Sequence, residues 1–360
     1  MVVPSAASQE MAPESLPLGI IPTVDMSAPS GRGELERRLV RACAERGFFK
    51  AVNHGVPARA AARLDAAASA FFARPEQAKQ AAGPPDPLGY GSRNIGTKGD
   101  VGELEYLILH ADPAAVARKA RVIDAEDPSR FRVAVNEYVD AVRRLTCRVL
   151  DLLGEGLGLR DPTSLSRLIS AVDSDSLLRI NHYPTSADAL PGPGDRSCTA
   201  EDAKSGNSNG GANGTIGFGE HTDPQIISVL RANDVDGLQV LLPDGRGGGG
   251  GEWVQVPADP AAFFINVGDL LQALTNGRLV SIRHRVIAST SRPRLSTIYF
   301  AAPPLHARIS ALPETVAAGT PRRYRPFTWS EYKKAMYAHG RLSHNRLDHF
   351  LASGDDDDDR

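Results

Sequence analysis

Cysteine is scarce in this chain: 360 residues hold three, and none stands in a CxxC pair. That spacing leaves no disulfide framework and no cysteine zinc site. Cys43, Cys147 and Cys198 suit a reducing, cytoplasmic setting, with the nucleus left open. No apolar stretch approaches the length of a membrane span. The opening MVVPSAASQEMAPESLPLGI has neither a basic n-region nor a continuous apolar h-region, so no secretory signal is expected. An excess of one charge is missing too: 41 Lys and Arg against 43 Asp and Glu give a net charge of −2. The signs are well mixed, and no basic stripe points to nucleic acid or a membrane surface. Repeats of solenoid period are absent. What remains is a chain that is 41% hydrophobic. It is long enough for one large core, or for a domain with a substantial lobe attached.

The texture of the chain changes part-way along. Residues 1–18 read as a disordered N-terminus, and 19–125 as an α/β lobe. In that lobe IPTVDMS is an extended entry. A helix is expected from about Gly33 to Arg46, with Leu35, Leu39, Ala42 and Cys43 as its stripe and Gly47 as its stop. FFKAVNHG reads as a strand, Ala58 to Ala73 as a helix, and PPDPLGYGSRNIGTKGD as a loop. A long helix, roughly Asp127 to Gly154, occupies the linking region 126–173. From 174 to 305 short β-rich runs alternate with turns: LLRINHYP, QIISVLR, GLQVLL, WVQVP, AFFINVG, RHRVIAS and PRLSTIYF. This pattern predicts a jelly roll. The fold class is therefore mixed α+β: a double-stranded β-helix core, cupin-like, with flanking helices and the N-terminal lobe. Residues 191–216 and the run Gly247 to Gly251 read as flexible loops. A helical segment, 306–350, and an acidic tail, 351–360, complete the expected organisation.

The segment GFGEHTDPQIISVL carries His221 and Asp223. On a strand, residues i and i+2 share a face, so an imidazole and a carboxylate converge. His284 follows 61 positions later (284 − 223 = 61), far enough for several strands to return beside the first. Two histidines and one carboxylate form the ligand set of non-haem Fe(II) oxygenases, with positions left open. An HxD pair alone is a weak signal, since such pairs arise by chance. Ten positions past His284 stands Arg294, then Ser296, in RPRLSTIYF. The Arg fork holds a carboxylate by two hydrogen bonds, and the serine hydroxyl adds a third. HxD, a distant His and RxS together are far more specific than any of them singly. His54 and His182 are expected to pack or hydrogen-bond in turns. His339, His344 and His349 are spaced by five, which does not line one helix face.

At these residues the chain resembles the plant 2-oxoglutarate-dependent dioxygenase superfamily. IPTVDMS and ERGFFKAVNHGV resemble that family's N-terminal segment, and RINHYP its tyrosine-bearing strand. The likeness runs from about Ile20 to Trp329. Within the superfamily GFGEHTDPQIISVLRAN, NVGDLLQALTNGR, SIRHRVIAS and LSTIYFAAPPL resemble the gibberellin 2-oxidase group, while the LPWKET segment of gibberellin 20-oxidases is absent. The resemblance implies iron(II) on His221, Asp223 and His284, and dioxygen as oxidant. It implies 2-oxoglutarate held by Asn181, Tyr183, Arg294 and Ser296, with Arg294 essential to turnover. It also implies ascorbate as reductant. GDVGELEYLIL resembles the substrate-side segment, which makes Tyr106 a substrate contact by resemblance. The implied reaction is 2β-hydroxylation of C19 gibberellins. A gibberellin 3-oxidase, a flavonoid-type dioxygenase and a non-catalytic cupin-like hormone- or metal-binding protein stay open beside it. The clamp at Arg294 and Ser296 argues against the last. Two departures stand out: Thr185 follows NHYP where the group has a second proline, and the next loop is long and rich in Gly and Ser. Cys198 falls in that loop. It is read as a reduced surface thiol, with pairing between two copies as the alternative.

Overall fold

The computed structural model describes residues 19–27, 32–84, 88–94, 101–185, 215–243, 251–339 and 346–352. In chain order they form β1 (Thr23–Asp25), α1 (Arg32–Glu45), β2 (Phe48–Val52), α2 (Ala58–Phe72), α3 (Glu76–Gln80), β3 (Gly89–Asn94), β4 (Val101–His110), α4 (Pro113–Ile123), α5 (Pro128–Leu157) and α6 (Ser164–Ser170). There follow β5 (Leu177–Tyr183), β6 (Ile216–His221), β7 (Ile227–Ala232), β8 (Leu238–Pro243), β9 (Gly251–Gln255), β10 (Phe263–Val267), α7 (Asp269–Leu274), β11 (His284–Ile287), β12 (Arg294–Ala301), β13 (Arg308–Ile309), β14 (Phe327–Thr328) and α8 (Trp329–His339). A short 3-10 turn, Arg346–Phe350, closes the described chain.

Eight strands form one sheet in the order β1-β2-β10-β7-β12-β5-β4-β3, and four form a second in the order β6-β11-β8-β9. Phe48, Leu230, Phe264 and Ile298 of the large sheet pack with Leu238, Val240 and Leu242 of the small one in a single apolar cluster. The strands of the N-terminal lobe do not stand apart, because β1 to β4 extend the sheet that carries the core strands. The opposite face of the large sheet is covered by helices. Phe131, Val135, Tyr138, Val142, Leu145 and Val149 run down the buried side of α5, in one cluster with Val229, Ile265 and Tyr299 of the sheet. This helix begins at an Asp127 side chain that accepts from the Arg130 N–H, with Pro128 in its first turn, and stops at Gly158 with φ of 76°.

Burial on both faces explains the sequence of β7 and β10, whose every residue is buried. The alternation of side chains then sorts them. Ile227 and Val229 of β7 point into the helical layer, while Leu230 points between the sheets. Ser228 and Arg231 are the polar residues of β7, and Ser228 shares the face of Leu230. In β5 the same alternation sends Leu178 and Ile180 to the helices and leaves Arg179, Asn181 and Tyr183 on the inner face.

Two expectations need correction. GYGSRN was read inside a loop, but it is strand β3, paired antiparallel with β4. Its glycines are there for space: a Cβ on Gly91 would lie 2.5 Å from the Tyr106 ring. His182 lies on β5 rather than in a turn, and its Nδ1 meets Glu105 Oε1 at 2.8 Å. His54 lies in the connection between β2 and α2, where its Nδ1 accepts from the Val56 N–H at 3.1 Å. Cys43 is fully buried, which pushes its thiol up to about 12. Cys147 is only part-buried, with its Sγ 3.5 Å from Ser170 Oγ. Cys198 and positions 191–214 of the 191–216 loop lie outside the described residues, while Ile216, expected in that loop, opens β6.

Candidate active site

The metal-binding set forms where the two sheets meet. β11 pairs antiparallel with β6 so that His284 lies directly across from His221. Asp223 follows two residues beyond the end of β6. Ligand atoms of His221, Asp223 and His284 all fall within 4.8 Å of one another, the only such group of His, Cys, Asp or Glu among the described residues. Nε2 of each histidine is 3.7 Å from Asp223 Oδ1. His221 Nδ1 meets the Gly219 carbonyl at 2.8 Å, and His284 Nδ1 meets the Ile282 carbonyl at 3.1 Å. A carbonyl can only accept, so each Nδ1 carries the proton and each Nε2 offers its lone pair to the site. Burial and the facing His284 push the His221 pKa well down, so the neutral, ligating form prevails.

Asp223 is oriented in the same manner. Ser228 donates to its Oδ2, and Asn266 Nδ2 lies 3.4 Å from the same atom. Both partners come from the inner faces of β7 and β10. Oδ1 therefore stays turned toward the histidines.

Two cavities meet at this set. His221 and Asp223 line both, while His284 lines only the inner one. The inner cavity is walled by Asn181, Tyr183 and Ser296. Strand pairing explains the grouping: Arg294 stands opposite Tyr183 and Ser296 opposite Asn181 along β12 and β5. Arg294 is 2% exposed, and its guanidinium carbon is 5.3 Å from the Tyr183 ring centre. Gly237 makes room for it, since a Cβ there would lie 3.1 Å from Arg294 Cδ. Arg294 Nε and Nη1 and the Ser296 hydroxyl are buried with no hydrogen-bond partner. Burial pushes the Arg294 pKa down from the ordinary arginine value. Leaving such a cation unmatched is costly, and a carboxylate supplies what these atoms lack. The donors present fit iron on the three ligands and a dicarboxylate at the inner end.

The outer cavity is mostly apolar, with Ile108, Leu177, Phe218, Phe300, Trp329 and Met336 on its walls. Asp175 ties α8 over it, accepting from Trp329 Nε1 at 2.8 Å and pairing with Lys333 Nζ at 2.7 Å. Arg179 lines both cavities. Its guanidinium lies 4.1 Å from the Tyr106 ring centre and 4.9 Å from that of Phe218, and its Nε donates to Asn181 Oδ1 at 2.7 Å. Tyr106 itself is 1% exposed and is not on the cavity wall; it lies under Arg179, while Ile108 and His110 of the same strand face reach the wall.

The sequence reading thus brought together the three metal ligands and the group Asn181, Tyr183, Arg294 and Ser296. It missed Ser228, Asn266, Arg179 and the α8 tie. A signal existed for the first two: a serine and an asparagine inside the apolar strands IISVL and FFINV.

Comparison with known proteins agrees with this geometry. The sequence profile of the 2OG-Fe(II) oxygenase superfamily matches residues 174–303. That described as "non-haem dioxygenase in morphine synthesis N-terminal" matches residues 21–123. The chain is 71% identical over 335 residues to gibberellin 2-beta-dioxygenase 2 of Oryza sativa subsp. japonica, covering 92% of this chain and 87% of that one. This chain belongs to the gibberellin 2-beta-dioxygenase family. The gibberellin 2-beta-dioxygenase of Phaseolus coccineus is 46% identical over 336 residues, with 93% of this chain and 92% of that one covered. Among solved structures, the rice dioxygenase for auxin oxidation has a TM-score of 0.73 at 29% identity, covering 92% of this chain and all of that one. JOX2 in complex with 2OG, Fe and JA has a TM-score of 0.74 at 26% identity, covering 94% and 90%. Iron(II) and 2-oxoglutarate are the cofactor and cosubstrate of this family member.

Proposed function

We propose that this protein inactivates C19 gibberellins by hydroxylating them at the 2β position. The observation that carries the reading is a metal set at the junction of two unlike cavities, in a chain 71% identical to a gibberellin 2-beta-dioxygenase. Iron bound there with 2-oxoglutarate and dioxygen supplies the oxidising power for inserting one oxygen atom into a C–H bond, as the cosubstrate becomes succinate and carbon dioxide. The remaining work belongs to the chain. His221, Asp223 and His284 hold the metal and leave its other positions open. Arg294 and Ser296, beside Tyr183 and Asn181, hold the distal carboxylate of 2-oxoglutarate. The apolar outer cavity orients the diterpenoid skeleton and excludes water. Arg179 places a cation at the boundary of both cavities, where a substrate carboxylate is an electrostatic match.

Incubation with a C19 gibberellin, iron(II), ascorbate and 2-oxoglutarate tests the reading. A 2β-hydroxylated product identified by mass and hydroxyl position supports it. A product hydroxylated only at C3 replaces it with a 3-oxidase. No succinate release dependent on gibberellin replaces it with a binding protein. Self-association through Cys198 is a separate part of the proposal, read by non-reducing electrophoresis and light scattering of wild type and Cys198→Ala.

A further inference from the structure

The single residue between two of the metal ligands is gripped from the far end of the chain. Arg346 opens the 3-10 turn Arg346–Phe350 and is 3% exposed. Its Nη2 lies 2.5 Å from the carbonyl oxygen of Thr222, 2.8 Å from Thr222 Oγ1 and 2.9 Å from Asp269 Oδ2. Thr222 is the residue between His221 and Asp223. The same Asp269 oxygen accepts from the Tyr332 hydroxyl at 2.6 Å and from the Thr222 hydroxyl at 3.2 Å. The Asp269 N–H donates to the Asp223 carbonyl at 2.8 Å. Both the side chain and the main chain of the ligand-bearing turn are therefore fixed by groups from α7, α8 and the C-terminal turn. Thr222, Asp269, Tyr332 and Arg346 are all buried.

Stability alone does not account for this arrangement. A buried ion pair costs so much desolvation that well-packed apolar residues often serve the fold as well or better. What polar contacts add is registry, and registry is what two ligands separated by one residue require. A metal set must be held to within about 0.5 Å of its working geometry by groups that do not themselves bind the metal. Arg346 also lines the outer cavity, next to His221, Thr222 and Asp223. One guanidinium thus touches the cavity wall and the peptide that carries two of the three ligands.

We propose that Arg346, braced by Asp269 and Tyr332, is the positioning residue that sets the His221–Asp223 turn against the bound metal and the outer cavity. It acts through the Thr222 peptide. Weakening it loosens the metal and misaligns the reacting carbon, so 2-oxoglutarate and dioxygen go to succinate, carbon dioxide and water without hydroxylated product, ascorbate supplying the two electrons that the substrate C–H bond would have given.

The test uses metal-free full-length protein. Titration with cobalt(II) or iron(II) under nitrogen should show about a tenfold loss of affinity in Arg346→Gln, the scale seen when groups behind metal ligands are removed. With 2-oxoglutarate, ascorbate and gibberellin supplied, hydroxylated product per succinate should fall. Arg346→Lys keeps the charge facing Asp269 but not the planar fork, so it should recover only part of both. Tyr332→Phe keeps the ring against Trp329 and Phe350 and loses only the bond to Asp269. It should move both readouts the same way by less, and it guards against an Arg346→Gln protein that fails to fold. Unchanged metal affinity and coupling in Tyr332→Phe and Arg346→Lys would overturn the proposal, whatever happens to the melting temperature. So would a rise confined to the gibberellin KM, which would make Arg346 a substrate contact instead. The metal titration needs no substrate, so it stands or falls apart from the gibberellin reading.

Discussion

The Ser228 hydroxyl donates to Oδ2 of Asp223, and this bond decides which oxygen of the ligand carboxylate faces the two histidines. Asn266 supports the same atom more weakly, at 3.4 Å. Ser228→Ala removes the stronger partner without changing the backbone or adding bulk. The expected result is a loss of metal affinity on the order of tenfold, with little change in the 2-oxoglutarate KM measured at saturating iron. Metal titration followed by steady-state kinetics checks it. A variant with wild-type metal affinity would show that Asn266 alone suffices to aim Asp223.

Arg294 carries a sharper prediction. Its unpartnered Nε and Nη1 need an anion, and a lysine keeps the charge while losing the two-point fork. Losing a charge-assisted hydrogen bond costs about 1.5–3 kcal/mol, which is roughly a 10- to 100-fold rise in the KM for 2-oxoglutarate. The KM for gibberellin should move far less. Equal rises in both would take Arg294 away from the cosubstrate.

The clamp was legible in the sequence because it rests on alternation along one strand, and the metal set because HxD keeps two ligands adjacent even though Asp223 falls just past the end of β6. His221 and Asp223, then Arg294 and Ser296, are i and i+2 pairs, a spacing that needs no knowledge of neighbours. Arg346 was not legible, since it reaches Thr222 from 124 positions away and no local pattern marks it. The jelly roll was legible in its short strands. The strand at Gly89–Asn94 was hidden by its glycines, which read as loop until Tyr106 is seen lying against Gly91.

Tyr106 shows the limit of face without depth. It shares a strand face with Ile108 and His110, but only those two reach the outer cavity. Tyr106→Phe keeps the ring beneath Arg179 and should leave the gibberellin KM near its wild-type value. Ile108→Trp fills the cavity wall and should raise that KM strongly with the 2-oxoglutarate KM unaffected. Steady-state kinetics on both variants decides the matter, and a large effect from Tyr106→Phe alone would return Tyr106 to the substrate.

Glu105 predicts how the fold responds to acid. Its carboxylate is part-buried between β3 and β5, where Oε2 meets Lys79 Nζ and the Tyr90 hydroxyl and Oε1 meets His182 Nδ1. Burial by itself pushes the Glu105 pKa up, but the hydrogen bonds from His182, Lys79 and Tyr90 outweigh it and hold the group below its ordinary value of 4.5. A carboxyl with a depressed folded-state pKa contributes stability that is fully present above the unfolded value. That contribution is lost as pH falls through the folded value. Wild type should therefore lose melting temperature steeply on acidification below 4.5, while Glu105→Gln, with no charge to neutralise, should give a flatter acid limb. At neutral pH the variant should be the less stable by roughly 3 kcal/mol, the cost of leaving a buried cation without its acid. Glu76, 3.5 Å from Lys79, offsets part of that loss. Thermal melts of both proteins from neutral to acid pH measure the two slopes. Parallel curves would mean that Glu105 is protonated in the folded protein and that Lys79 draws its stabilisation from Glu76 alone.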